Sequence, residues 1–237
     1  MKKCEIGNLP IGVYGSMEEI VNDVLDNYVG TSSSAVAINP EKIIMSRHSD
    51  ELRGILHSSE IRFADGIGIV KAISWKTKQN VARIPGCELW ELLMKEAGIK
   101  SIPVFLIGAS QSTLDKTMSM LSTQYSTPIV GHENGYFKNE DQLIAQILET
   151  NAQIVTVAMG SPKQELFIRK ARAAGVKAFF MGVGGTYDVY TGNVKRAPQF
   201  FCNNGLEWFY RLISQPSRAF RQINLLKFLW LLNTRRI

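Results

Sequence analysis

Asp65 follows a short expected strand, Glu60 to Ala64, and stands just before Gly66. A carboxylate at a strand end can take the proton of an attacking hydroxyl. The same residue can equally cap a following helix through backbone N–H groups, and spacing on its own leans to the cap. Asn39 ends the run Ser34 to Asn39 and can orient a sugar hydroxyl or cap the helix that opens at Pro40. The stretch Gly160-Ser161-Pro162-Lys163-Gln164-Glu165 gathers a hydroxyl, a cation, an amide and a carboxylate where a strand gives way to a helix. That density suits a sugar or a phosphate, although proline and glutamate also favour ordinary first turns. Tyr136 and Tyr187 read as loop aromatics able to stack on a base or to pack. Asp188 can accept from ribose hydroxyls or serve a turn. His48, His57 and His132 are scattered and no Asp-x-Asp pair occurs, so neither a metal site nor a histidine-based triad is expected.

These residues need a scaffold that brings strand ends together. From Ser34 onward, β-branched runs alternate with helix-like segments. Strands are expected at 34–39, 60–64, 103–107, 129–130, 154–159 and 176–181. Helices are expected at 40–56, 87–97 (stopped by Gly98), 112–125, 141–149 and 163–174. Such alternation predicts an α/β fold, a Rossmann-like, mostly parallel sheet with helices on both faces. Gly66, Gly108, Gly160 and the group Gly182, Gly184, Gly185 each follow an expected strand. On one sheet edge such loops let backbone N–H groups approach an anion. Each glycine alone is explained by a tight turn; four such loops favour a phosphate-bearing ligand. The dinucleotide fingerprint G-x-G-x-x-G is missing after both Gly66 and Gly182, and so is the P-loop, which argues against a nicotinamide-dependent oxidoreductase.

The 237 residues carry 27 Lys and Arg against 21 Asp and Glu. The excess of six sits after Glu207, the last acidic residue, in Arg211, Arg218, Arg221, Lys227, Arg235 and Arg236. The preceding body is neutral, so an anionic partner meets the tail, and no basic face for nucleic acid is evident. Leu206 to Ile213 is apolar, Pro216 breaks it, and a further helix is expected from Ser217, with Arg218 and Arg221 on one face. Leu225 to Leu232 is too short to span a bilayer, but its apolar residues, Trp230 and the unopposed cations fit a helix lying in an anionic membrane surface. Packing on the core or on a second copy is the plainer alternative. The chain divides into an α/β body, 1–204, and a basic helical membrane-associating appendage, 205–237. No apolar run follows the lysines of the N-terminus, and three dispersed cysteines suit a reducing compartment.

The blocks Asp65-Gly66, Arg83-Ile84-Pro85-Gly86, Gly160 to Glu165, Met181 to Asp188, Val194 to Pro198, and Gly205 through Arg218 resemble the WecG/TagA/CpsF glycosyltransferases, glycosyltransferase family 26, in order and from about Ala35 onward. The resemblance implies a metal-independent, cofactor-free, inverting transfer of N-acetyl-D-mannosaminuronic acid from UDP-ManNAcA to N-acetylglucosaminyl-diphospho-undecaprenol, as in enterobacterial common antigen synthesis. It places the enzyme on the inner face of the cytoplasmic membrane. UDP-ManNAc as donor, for a related surface polysaccharide or teichoic-acid linkage, is the alternative, and a homo-oligomer is compatible with either. By similarity Asp65 is the general base, Asn39 and Gln164 position sugar, Tyr136 and Asp188 hold uridine, and Arg218 and Arg221 close over the diphosphate. Gly108, Gly160, Gly184 and Gly185 supply the amide loops, and Arg83 and Lys163 are the candidate partners of the donor carboxylate. The teichoic-acid relatives carry a threonine two residues before the asparagine, where this chain has Ala37, so a hydroxyl-dependent role there is lost or moved.

Overall fold

The computed structural model describes residues 2–195, 197–198, 200–201, 209–210 and 219–234, with side chains of the last segment from 224. Its elements run β1 (Lys2–Ile6), β2 (Leu9–Val13), α1 (Met17–Asn27), β3 (Ser33–Ile38), α2 (Pro40–His48), α3 (Asp50–Ser58), β4 (Ile61–Ala64), α4 (Ile67–Thr77) and α5 (Gly86–Ile99). They continue with β5 (Val104–Gly108), α6 (Gln111–Tyr125), β6 (Ile129–Glu133), α7 (Glu140–Thr150), β7 (Ile154–Ala158), α8 (Lys163–Ala173), β8 (Phe179–Gly182), α9 (Thr186–Tyr190) and α10 (Ala219–Asn233).

Six strands form one sheet in the order β4-β3-β8-β7-β5-β6, and every neighbouring pair is parallel. The expected α/β architecture is therefore present. Alternate residues of each central strand enter opposite cores. In β5, Val104 and Leu106 join α1, α5 and α6, while Phe105 and Ile107 join α7 and α8. Burial on both faces is why these strands read as unbroken apolar runs. A third cluster joins Val36, Ile38 and Ala64 to α2, α3, α4 and the β1–β2 hairpin. That hairpin turns through Gly7 and Asn8, both at positive φ. It and α1 occupy a region where the sequence reading placed no element.

Two helix boundaries differ from expectation. The helix expected over 40–56 is two helices, broken at Ser49. Its backbone is extended and its Oγ accepts from the Leu52 amide, so Ser49-Asp50-Glu51 acts as a new helix start. Gly98 does not end α5, which continues to Ile99. A Cβ at Gly98 would lie 1.9 Å from the Tyr125 carbonyl oxygen, so the glycine lets α5 pass the end of α6.

The chain leaves β3 into α2 on one face and leaves β8 into α9 on the other, where Tyr187 packs on Trp90 of α5. These neighbours form a topological switch point, the place where open α/β sheets bind ligands.

Candidate active site at the carboxyl edge of the sheet

A cleft of roughly 800 Å³ opens at the ends of β3, β4, β7 and β8. Asn39, Asp65, Arg83, Gly160, Gln164, Gly184, Gly185 and Asp188 all line it, together with Ala37. Parallel strands bring these residues together because all their carboxyl ends meet one edge. Gly108, Tyr136 and Lys163 lie outside this lining. Arg218, and the side chain of Arg221, lie outside the described residues, as do the break at Pro216 and all of the expected helix over 206–213 except residues 209 and 210.

Asp65 is half-buried. Its Oδ1 accepts from the Gly86 amide at 3.2 Å, and its carbonyl oxygen accepts from Arg83 Nε at 3.0 Å. The carboxylate thus caps the first turn of α5, twenty-one residues on, rather than the adjacent α4, whose N-cap is Gly66. Asn39 is the N-cap of α2, with Oδ1 accepting from the Lys42 amide at 2.9 Å. Both residues face the cleft while serving as caps.

Gln164 is buried, and its amide is committed at both ends. Oε1 accepts from the Gly184 amide at 2.9 Å, and Nε2 donates to Glu165 Oε1 at 3.1 Å. Glu165 in turn pairs with Lys42 at 2.8 Å, both side chains under a tenth exposed. Burial pushes the Glu165 carboxyl up. The Lys42 charge and hydrogen bonds from Lys42 and Gln164, with the Ser161 hydroxyl near by, outweigh that and hold it below the ordinary glutamate value. Neither Ser161 Oγ nor Glu165 Oε2 has a partner of normal hydrogen-bond geometry. One chain of contacts, Asn39 to Lys42 to Glu165 to Gln164 to Gly184, therefore joins α2, α8 and the loop after β8.

Gly160 and Gly184 take positive φ, +75° and +55°, and a Cβ at either would meet nothing within 4 Å. Their backbones face open space in a conformation that side chains resist. Gly108 also has positive φ, but a Cβ there would fall 2.3 Å from the Ala158 carbonyl oxygen, so it serves close packing of β5 against β7. Asp188 Oδ1 accepts from the Thr113 hydroxyl at 3.1 Å, fixing α9 to the first turn of α6.

Tyr187 is not a loop aromatic. It is fully buried against Trp90, with its hydroxyl 2.6 Å from Thr156 Oγ1, and burial raises its pKa. Tyr136 is 78% exposed on the loop after β6. Lys163, the first residue of α8, is exposed.

The cleft also contains residues that sequence reasoning did not single out: Lys42, Glu41 and Met45 of α2, Cys87 of α5, and Asn193 and Tyr210. Lys42 sits among Ile43 and Ile44, and only the fold reveals its partner. Among the described residues the charged lining is balanced, with Lys42, Arg83 and Lys195 against Glu41, Asp65 and Asp188. Among them no three His, Cys, Asp or Glu gather as a metal-binding set.

A parallel α/β sheet with amide loops, helix starts and a carboxylate around one cleft at its switch point has the layout in which this fold class binds phosphate-bearing ligands. The sequence model of the glycosyl transferase WecG/TagA/CpsF family matches residues 4–237, and the chain belongs to that family. It is thus a glycosyltransferase, which takes a nucleotide-sugar donor and an acceptor.

Proposed function

We propose that the enzyme transfers N-acetyl-D-mannosaminuronic acid from UDP-ManNAcA to N-acetylglucosaminyl-diphospho-undecaprenol, with inversion. The observation carrying this reading is that Asp65 and the Gly160 and Gly184 loops share one cleft. Asp65 takes the proton of the acceptor hydroxyl as its oxygen attacks C1 of the donor sugar. The bond from C1 to the UDP oxygen breaks, and UDP departs with the bonding electron pair. The Gly86 amide orients the carboxylate for this step. Peptide N–H groups of the glycine loops stabilise the charge that develops on UDP. Arg218 and Arg221 add to this from the tail. Gln164 acts by holding the Gly184 amide in place, and Asn39 by presenting the end of β3 to the sugar. Asp188 receives the nucleoside, with Tyr136 on the neighbouring loop to cover the base. Arg83, held against Asp65, faces the donor carboxylate.

The segment 205–237 is the membrane-associating appendage in this reading. In α10, Phe228, Leu231 and Leu232 turn toward the core, while Leu226, Leu229 and Trp230 are exposed at 67%, 46% and 57%. A helix with apolar residues on two sides needs two apolar neighbours. The fold supplies one, and an anionic lipid surface supplies the other, attracting Lys227 and the arginines. Among the described residues no helix is long and apolar enough to cross a membrane.

The test is UDP release from UDP-ManNAcA or UDP-ManNAc, each with a GlcNAc-diphosphoryl-lipid acceptor. Release with UDP-ManNAcA is expected. Release with UDP-ManNAc alone reassigns the donor, and release with neither overturns the reading.

A further inference from the structure

Phe228 is the one α10 side chain that is fully buried among those described. Its ring rests on Gly68, near the start of α4, where a Cβ would lie 3.4 Å from Phe228 Cε1 and 3.2 Å from Pro40 Cγ. At Gly66 a Cβ would lie 3.0 Å from Pro40 Cδ and 3.6 Å from Asn39 Cβ. The Phe228 ring, the bare backbone of Gly68 and Gly66, and the Pro40 ring therefore form one stack without side chains between them. Asn39 directly precedes Pro40, and Asp65 directly precedes Gly66. Two cleft residues that follow different strands are thus seated on a packing column whose far end is an α10 side chain.

We propose that Phe228 is a positioning residue, fixing the spacing between the Asn39 and Asp65 loops through Gly68 and Pro40. The assignment rests on the proposed roles of Asn39 and Asp65 in sugar transfer, but its geometry does not need a donor to be measured. Close packing transmits such a shift, because the Phe228 and Pro40 rings both lie within 3.4 Å of the space a Gly68 Cβ would fill. A displacement of about 1 Å at reacting groups can cost up to about a hundredfold in rate.

Two amides report the spacing directly. Lys42 N–H donates to Asn39 Oδ1, and Gly86 N–H donates to Asp65 Oδ1. In the full-length chain, F228A is expected to speed hydrogen exchange at both amides by about tenfold or more, leaving β5 and β7 protected. Leu232→Ala, on the same inner side of α10, should leave both amides unchanged. F228L should restore most of the protection. With turnover measured on a short-chain soluble acceptor, F228A should lower kcat and leave the donor KM in place. Should F228A fold poorly, G68A probes the same stack from its middle. The added methyl should disturb the Lys42 amide, and G68A combined with F228L should recover it. Unchanged exchange at Lys42 and Gly86 in F228A, or an equal loss in L232A, overturns the assignment. A wild-type enzyme that releases no UDP refutes the proposed transfer reaction instead, while the exchange data still decide the role of Phe228.

Discussion

Gly184 and Gly108 both stand at the carboxyl ends of strands of one parallel sheet, with positive φ, yet they have opposite surroundings. Around Gly184 a side chain would find open space; at Gly108 it would strike the Ala158 carbonyl. The contrast extends to the two halves of the edge. The β4-β3-β8-β7 half opens into a cleft, whereas at the end of β5 backbone closes on backbone: the Ala109 amide donates to Ala158 O, and Gly135 N donates to Ala109 O. A glycine after a strand is therefore not in itself a sign of a ligand. What separates Gly184 from Gly108 is space where a side chain would have been, and the proposed donor site uses that space.

Substitutions on the open half should change catalysis, and those on the closed half should change stability. The strongest challenge to that division is the Lys42–Glu165 pair, which lies under the cleft but is structural in its chemistry. K42M strands a buried carboxylate and should cost about 3–5 kcal/mol in denaturant unfolding, whereas K42M combined with E165L should regain much of it. Because the Glu165 carboxyl is held below its unfolded value, its contribution is complete above the ordinary glutamate range. It is lost as pH falls through the lowered value, so E165Q should flatten the acid limb of the stability profile. G108A comes next, with about 1–3 kcal/mol lost from strain and crowding and little change in UDP affinity. G184A should do the reverse, costing about 1 kcal/mol in stability while weakening donor binding in calorimetry by roughly tenfold. Smallest is Tyr187→Phe, which removes a buried hydroxyl contact for about 1 kcal/mol and should leave turnover unaltered. A large turnover loss there would mean that the buried aromatic layer reaches the donor.

Much of the fold was legible in the sequence, but not this division, since Gly108 reads there as one more amide loop. Strands buried on both faces spell themselves as apolar runs, and a parallel sheet guarantees that Asn39, Asp65, Gly160 and Gly184 share an edge. What stayed hidden depends on partners distant in the chain. Tyr187 reads as a loop aromatic because its hydrogen-bond partner, Thr156, lies on β7, distant in the chain. Gly98 reads as a helix stop because the Tyr125 carbonyl that crowds it belongs to another helix. Lys42 looks like a solvated helix lysine until Glu165 is brought against it. Asp65 reads as a base or, on spacing alone, slightly more as a cap of the following helix, and the structure shows a cap of α5 whose carboxylate still faces the cleft. For α10 the packed reading holds for Phe228, Leu231 and Leu232, and the proposed lipid contact concerns the exposed Leu226, Leu229 and Trp230.

The most direct measurement is steady-state UDP release by D65N beside its UDP affinity, with UDP-ManNAcA and the lipid-linked acceptor. General-base removal predicts a fall in turnover of about 10²–10⁴-fold with UDP binding unchanged. Wild-type turnover in D65N would contradict the account.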